Sequence, residues 1–181
     1  GGFFLSGYKD AVVITGDGKG DKISHQTYIA NNNTFTLKNE SSDYNSVGLF
    51  YSCVTFFLGF KPLRHEGKIT GLAAFGDLKK TSHIDFPLSF NKDSSSVENS
   101  FLKDIGKSGY YKVFIKLFRE NPKLFFKILI SKSYFEFEYA RYKWMEFLKD
   151  NLSKFTKEDV AAFAQNHFEK ILVDMVESQI L

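Results

Sequence analysis

Residues 11–15, AVVIT, form an unbroken apolar, β-branched run that gives way at once to GDGKGD at 16–21. A run of that kind is expected for a strand buried on both faces. The chain then turns with three glycines and two aspartates, where one glycine would serve. Residues 21–30, DKISHQTYIA, alternate and put Ile23, His25, Thr27 and Ile29 on one face. NNN at 31–33 signals a second turn, and TFTLKNE at 34–40 alternates again with Phe35 and Leu37 directed inward. The expected start is a three-stranded antiparallel meander.

The period changes at residues 46–60, SVGLFYSCVTFFLGF. Val47, Phe50, Tyr51, Val54, Phe57 and Leu58 recur at helical spacing, with Gly59 and Pro62 as stop signals. Strand, strand, strand, helix is the opening order of an α/β chain. A second glycine-rich stretch, HEGKITGLAAFGD, fills 65–77, and residues 78–100 are polar and rich in Ser and Asn, a candidate surface loop or domain edge. Residues 101–150 carry aromatics and lysines in helix-like patterns broken at Pro122. The clearest helix lies in 156–181. Thr156 and Asp159 make a capping-box signature, and Val160, Phe163, Ala164, Phe168, Ile171, Leu172 and Met175 share one face. The expected organisation is a core part at 1–77, a loop and helical insertion at 78–155, and a helix returning to the core at 156–181.

Composition narrows the function classes. At 43% hydrophobic and 25% charged residues the chain is globular, and a net charge of +3 does not call for a nucleic-acid partner. The single cysteine, Cys53, excludes an internal disulfide framework and fits a reducing compartment. The Asn-x-Ser/Thr matches at Asn32, Asn39 and Asn151 read as coincidental. No apolar run approaches the ~20 residues that span a bilayer. A soluble, cytoplasmic protein with neither nucleic-acid nor membrane partner is the expectation. The chain opens without Met and stops inside a helical pattern, so an internal piece of a longer protein is also expected.

The Gly/Asp segment holds the first candidate chemistry. Glycines at a strand end let backbone N–H groups approach an anion, and an acid there can hold a divalent cation that bridges phosphate oxygens. The segment lacks the Walker pattern, and Lys19 occupies what would be a ligand position in an EF-hand. A plain hairpin turn remains open beside the phosphate reading, and the two are compatible. His25, His65, His83 and His167 show no metal-ligand spacing. Only His65, beside Glu66, Gly67 and Lys68, lies in a motif-like setting. Cys53 reads as a packing residue. Residues 107–132 hold Lys107, Lys112, Lys116, Arg119, Lys123, Lys127 and Lys132 against Glu120 alone; they read as a helical hairpin whose lysines snorkel off an aromatic face.

Three ordered pieces resemble the O-carbamoyltransferases of the nodulation-protein and antibiotic-tailoring type. FFLSGYKDAVVITGDGKGD at 3–21 is similar to the stretch leading into that family's Asp-Gly-x-Gly-Asp loop. SVGLFYSCVTFFLGF resembles its Gly-x-x-Tyr helix ending in Leu-Gly-Phe, and HEGKITGLAAFGD its Glu-x-Lys-x-x-Gly-Leu-Ala-x-(Tyr/Phe)-Gly motif. The resemblance covers roughly the first 77 residues; the final helix fits the one before the family's later Gly-Gly motif. It implies an actin-like ATPase (ASKHA, RNase H-like) fold. It also implies a reaction: a C-terminal adenylate-forming domain of the same protein makes carbamoyl-adenylate from carbamoyl phosphate and ATP, and the actin-like domain transfers the carbamoyl group to a small-molecule hydroxyl acceptor, aided by a divalent metal, iron.

By this resemblance Asp17 is the metal-associated aspartate, and Gly18, Gly20 and Asp21 lie beside the phosphates. Tyr51, Gly67 and Lys68 fall where the nucleoside is approached. Lys19 departs from the pattern, which more usually has a small or uncharged residue there. The family's His-His-x-x-His motif would precede Gly1, and its Gly-Gly/Asn segment and second metal-binding aspartate would follow Leu181. The expectation is that this chain alone is inactive. The alternatives are a non-catalytic binding module on the same scaffold, or a related kinase or threonylcarbamoyl transferase.

Overall fold

A computed structural model of the chain describes residues 2–130 and 135–179. A short helix α1 (Gly2–Ser6) precedes β1 (Asp10–Gly20), β2 (Ile23–Asn31) and β3 (Thr34–Ser42), which pair antiparallel in the order β1-β2-β3. Both hairpins close through two consecutive left-handed residues, Asp21 and Lys22 (φ 47° and 70°) and Asn32 and Asn33 (φ 44° and 70°). Two positive φ angles in a two-residue loop match the twist of the flanking strands, and Asn and Asp tolerate them best among residues with a Cβ.

The first turn is not where the glycines are. β1 runs through the Gly/Asp segment to Gly20, and its ladder to β2 is irregular between Gly16 and Gly20. Glycine eases such a bulge without making the reversal. β1 is also an edge strand with Val12 42% exposed, not a strand buried on both faces. On β2, His25 and Thr27 face inward as the alternation implies, but Ile29 is exposed, as are Phe35 and Leu37 of β3. At that end of the sheet the short α1 covers only part of the face. Phe35 packs edge-on to Phe3 of α1 (5.2 Å) and Tyr28 (6.3 Å).

A 3₁₀ turn (Asp43–Asn45) leads into α2 (Val47–Phe57). Ser46 caps it by accepting from Leu49 N at 3.1 Å. It ends where Gly59 takes φ 84°, with Gly59 N bonding Phe56 O and Phe60 N bonding Thr55 O, the paired bonds of a Schellman motif. The periodic stripe is the buried one: Phe50 and Val54 are enclosed. Next come α3 (Glu66–Ala73) and α4 (Leu78–Thr81), both packed on α8 (Lys157–Glu177). The glycine-rich second stretch is thus largely helix.

Residues 78–100, polar in sequence, also hold a hairpin of β4 (Leu88–Asn91) and β5 (Ser96–Asn99) whose Leu88 and Val97 belong to the main core. Asn99 accepts from Phe101 N at the start of α5 (Ser100–Glu120) and donates to Tyr44 O. Pro122 opens α6 (Pro122–Ile130), where its missing N–H costs nothing. α7 (Phe135–Leu152) follows. Trp144, Leu148 and Leu152 of α7 join Phe50, Ile69, Val160 and Phe163 in the main core, and Val113, Leu117, Ile128 and Phe135 form a second cluster. That inward face, with Lys112, Lys116, Arg119 and Lys123 exposed outside it, is the expected helical hairpin. Lys132 lies outside the described residues, as do the side chains of Lys19 and Lys107. The capping residue of α8 is Thr156, and on its apolar stripe only Leu172 stands exposed. Among the described residues no helix is long and apolar enough to cross a membrane.

Candidate functional site

The glycine-rich end of β1 lies against the first turn of α2, and a cleft of about 420 Å³ opens between them, walled by β2, β5 and α8. Glycine suits the contact. A Cβ on Gly48 would sit 3.2 Å from Gly18 Cα, tighter than side chains ordinarily pack, and in ordinary contact with Gly18 N at 3.6 Å. Ser46 ties the same point by donating to Asp17 O at 3.4 Å. The leading N–H groups of a helix have no intrahelical acceptor and carry partial positive charge. Glycine backbone and helix N-terminus therefore border one cleft whose lining also holds the apolar side chains of Val97, Phe168 and Met175.

His25 and Ser24 line the cleft from β2. His25 Nε2 lies 3.4 Å from Ser41 Oγ, which accepts from Val97 N at 3.0 Å, while Ser24 Oγ donates to Ser41 O at 3.2 Å. Burial holds the His25 imidazole below its ordinary pKa. These residues and the Ser46/Gly48 pair are absent from the sequence-derived site. The helix start at Ser46 was legible; the approach of Gly48 to a strand 30 residues away was not.

Of the residues expected from sequence, Asp17 and Gly18 line the cleft. Gly20 sits beside Asp17, its would-be Cβ 3.3 Å from Asp17 Oδ2, and Asp21 is in the turn beyond, outside the lining. Tyr51 points elsewhere. Its hydroxyl donates to Gln165 Oε1 (2.7 Å) and lies 3.2 Å from Thr70 Oγ1, tying α2 to α3 and α8, and burial raises its pKa. Gly67 is on the open side of α3, and Lys68 Nζ lies over the Phe60 ring at 5.6 Å. Neither lines the cleft with Asp17. Glu66 accepts from Leu63 N (2.6 Å) and Ser52 Oγ (2.9 Å), so it braces the loop before α3. Cys53 is buried, which pushes its thiol up to about 11.

Among the described residues no group of three or more His, Cys, Asp or Glu could hold a metal ion. Asp17 is exposed and offers one carboxylate where a hard divalent cation takes six or more oxygens. The residues present do not by themselves fit a divalent metal.

Helix-start N–H groups and bare glycine backbone bordering one cleft are chemistry that suits negative charge. Residues 2–180 match the family described as carbamoyltransferase N-terminus, and the chain belongs to that family. It is 30% identical over 178 residues to the uncharacterized protein MJ1051 of Methanocaldococcus jannaschii, covering 97% of this chain and 28% of that relative. It is 35% identical over 77 residues to the uncharacterized protein sll1178 of Synechocystis sp., covering 42% of this chain and 12% of that relative. The chain thus spans under a third of the length of these relatives.

Proposed function

We propose that the chain is an internal part of the transferase core of an ATP-dependent O-carbamoyltransferase, on an actin-like ATPase scaffold in the cytoplasm. Carbamoyl-adenylate, made from carbamoyl phosphate and ATP by a C-terminal adenylate-forming domain of the same polypeptide, is the donor. The oxygen of a small-molecule hydroxyl attacks the carbamoyl carbon. The bond from that carbon to the phosphate oxygen breaks, AMP leaves, and the hydroxyl proton is lost.

The observation that supports this reading is the Gly18–Gly48 contact at the mouth of the cleft. It brings the first-turn N–H groups of α2 and the bare backbone of residues 16–18 to one place, where they would hold the phosphate oxygens of the nucleotide. The apolar wall of Val97, Phe168 and Met175 would exclude water from the reacting carbonyl. Asp17 offers a single carboxylate toward the divalent metal that the resemblance implies, and the described residues add no further ligand cluster to it. Gly20 and Asp21 keep, in this reading, a place beside the phosphates, whereas Tyr51, Gly67 and Lys68, which stand outside the cleft lining, are given no ligand contact there.

The test uses the polypeptide at the length of its relatives, given carbamoyl phosphate, ATP and a panel of hydroxyl compounds. AMP release together with a carbamoylated acceptor, seen by mass spectrometry, is the expected result, and the 181-residue chain is expected to give neither. Absence of both products from the long form under every acceptor overturns the reading.

A further inference from the structure

Within the cleft, His25 is a buried polar group that has no task in the reaction as written. It is 5% exposed, and it lines the cleft together with Asp17 and Ser46. Across the ladder it is paired with Gly16, which has no side chain to lay over the ring. Ser41 Oγ accepts the Val97 N–H at 3.0 Å and lies 3.4 Å from His25 Nε2. A hydroxyl donates one hydrogen bond and accepts two, so Ser41 can serve either ring tautomer; where it gives its proton to Nε2, the imidazole proton sits on Nδ1. Among the described residues no hydrogen bond reaches Nδ1, and it is not one of the fully enclosed unpaired atoms, so it is a ring nitrogen free for a partner in the cleft.

We propose that His25 is a ligand-contacting residue: its Nδ1–H donates to an oxygen of the phosphate-bearing ligand that lies against the first turn of α2. The proposal deepens the carbamoyl-transfer reading and rests on it only for the identity of the ligand. The helix N-terminus supplies attraction for negative charge, and the imidazole adds a directed donor from the opposite wall. Gly16 gives the ligand room to reach the ring.

The experiment is ¹⁵N NMR of the imidazoles in the polypeptide at the length of its relatives, with ATP and, separately, inorganic phosphate as probes. His25 is expected as the neutral Nδ1–H tautomer, with Nδ1 moving on addition of ATP. Three variants sharpen the test. An Asn amide nitrogen falls near the position of Nδ1 and a Gln amide nitrogen near Nε2. His25→Asn is therefore expected to keep ATP affinity close to that of the parent, while His25→Gln and His25→Phe weaken it roughly 3–10-fold, the loss of one hydrogen bond.

An Nε2–H tautomer, an Nδ1 resonance indifferent to ATP, or parental ATP affinity in His25→Phe overturns the proposal. If His25→Phe does not fold, the NMR of the parent protein decides alone. A response to inorganic phosphate as well as ATP places the contact on the phosphate; a response to ATP alone places it elsewhere on the nucleotide and overturns the phosphate contact. An ATP-responsive His25 in a protein that transfers no carbamoyl group leaves this inference standing and retires the function. Carbamoyl transfer with a silent His25 does the reverse.

Discussion

Gly76→Ala should destabilise the protein more than any other single methyl addition at its described glycines. A Cβ at Gly76 would meet Ala162 Cβ at 2.6 Å and the carbonyl carbon of Glu158 at 2.7 Å, and would be closer still to the Glu158 carbonyl oxygen. Carbon atoms pack at about 3.5–4.0 Å, so the segment after α3 must retreat from α8 by roughly 1 Å. The neighbours cannot yield, because Glu158 contributes backbone and Val160 and Ala161 beside it are fully buried. Retreat also strains the bond from Asp77 N to Asp159 Oδ1, 2.8 Å long. Overpacking of this kind costs about 1–3 kcal/mol, and a weakened hydrogen bond adds about 1 kcal/mol. For a chain of this size each kcal/mol lowers Tm by about 2–4 °C. Trp144, the single tryptophan, is fully buried, so its emission in a urea titration reads the transition directly. Gly71→Ala is the matched control. It lies inside α3 with nothing within 4 Å of the added methyl, so it should gain up to about 1 kcal/mol from helix propensity. Equal stability of the two variants would refute the close approach of α3 and α8.

Three further outcomes are expected. Ser46→Ala removes the cap of α2 and the bond to Asp17 O, and should cost about 1 kcal/mol in the urea midpoint while loosening the mouth of the cleft. Cys53, with its thiol pushed up to about 11 by burial, should react with a thiol reagent at pH 8 no faster than the protein opens; rapid labelling of the native state would contradict that burial. Asp159 accepts from Asp77 N and pairs with Lys80 Nζ at 2.9 Å, and these hold its carboxyl at about 2. An unfolded aspartate titrates near 3.9, so the folded value is the lower one. The stabilisation is therefore complete above about pH 4 and lost as pH falls toward 2. Asp159→Asn should lower Tm at neutral pH and flatten the acid limb between those values; an unchanged acid limb would assign the clip no role.

Much of the helical layer was legible because its signals are periodic and local. The stripe of α2, the cap at Thr156 and the break at Pro122 each follow from spacing that only one conformation satisfies. The strands were harder. Alternation located β2 and β3, yet it cannot say how much of a sheet face its neighbours cover, and Ile29, Phe35 and Leu37 stand exposed where only the short α1 packs. The first reversal was placed at the glycines because Asp-Gly is a strong turn signal, while Asp21 and Lys22 supply the two left-handed residues instead. β4 and β5 are four residues each, too short for a period to register, and their polar flanks hid the core positions Leu88 and Val97. At the site, Asp17 and Gly18 were visible as a motif. Their partners Gly48, Ser46 and His25 are chosen by distance in space, which no spacing in one sequence encodes.

α7 belongs to both hydrophobic clusters. Its first half, Phe135 and Tyr139, packs in the smaller one, and Trp144, Leu148 and Leu152 lie in the main core against Phe50 of α2. Eighteen residues of α-helix make a strut about 27 Å long. A strut fixed at both ends turns two separate oil drops into one mechanical body. The Trp144 ring of that strut meets Phe50 edge-on at 5.8 Å, one turn inside the capped start of α2, so the helix bearing Gly48 and the basic α5–α6 hairpin rest on the same beam.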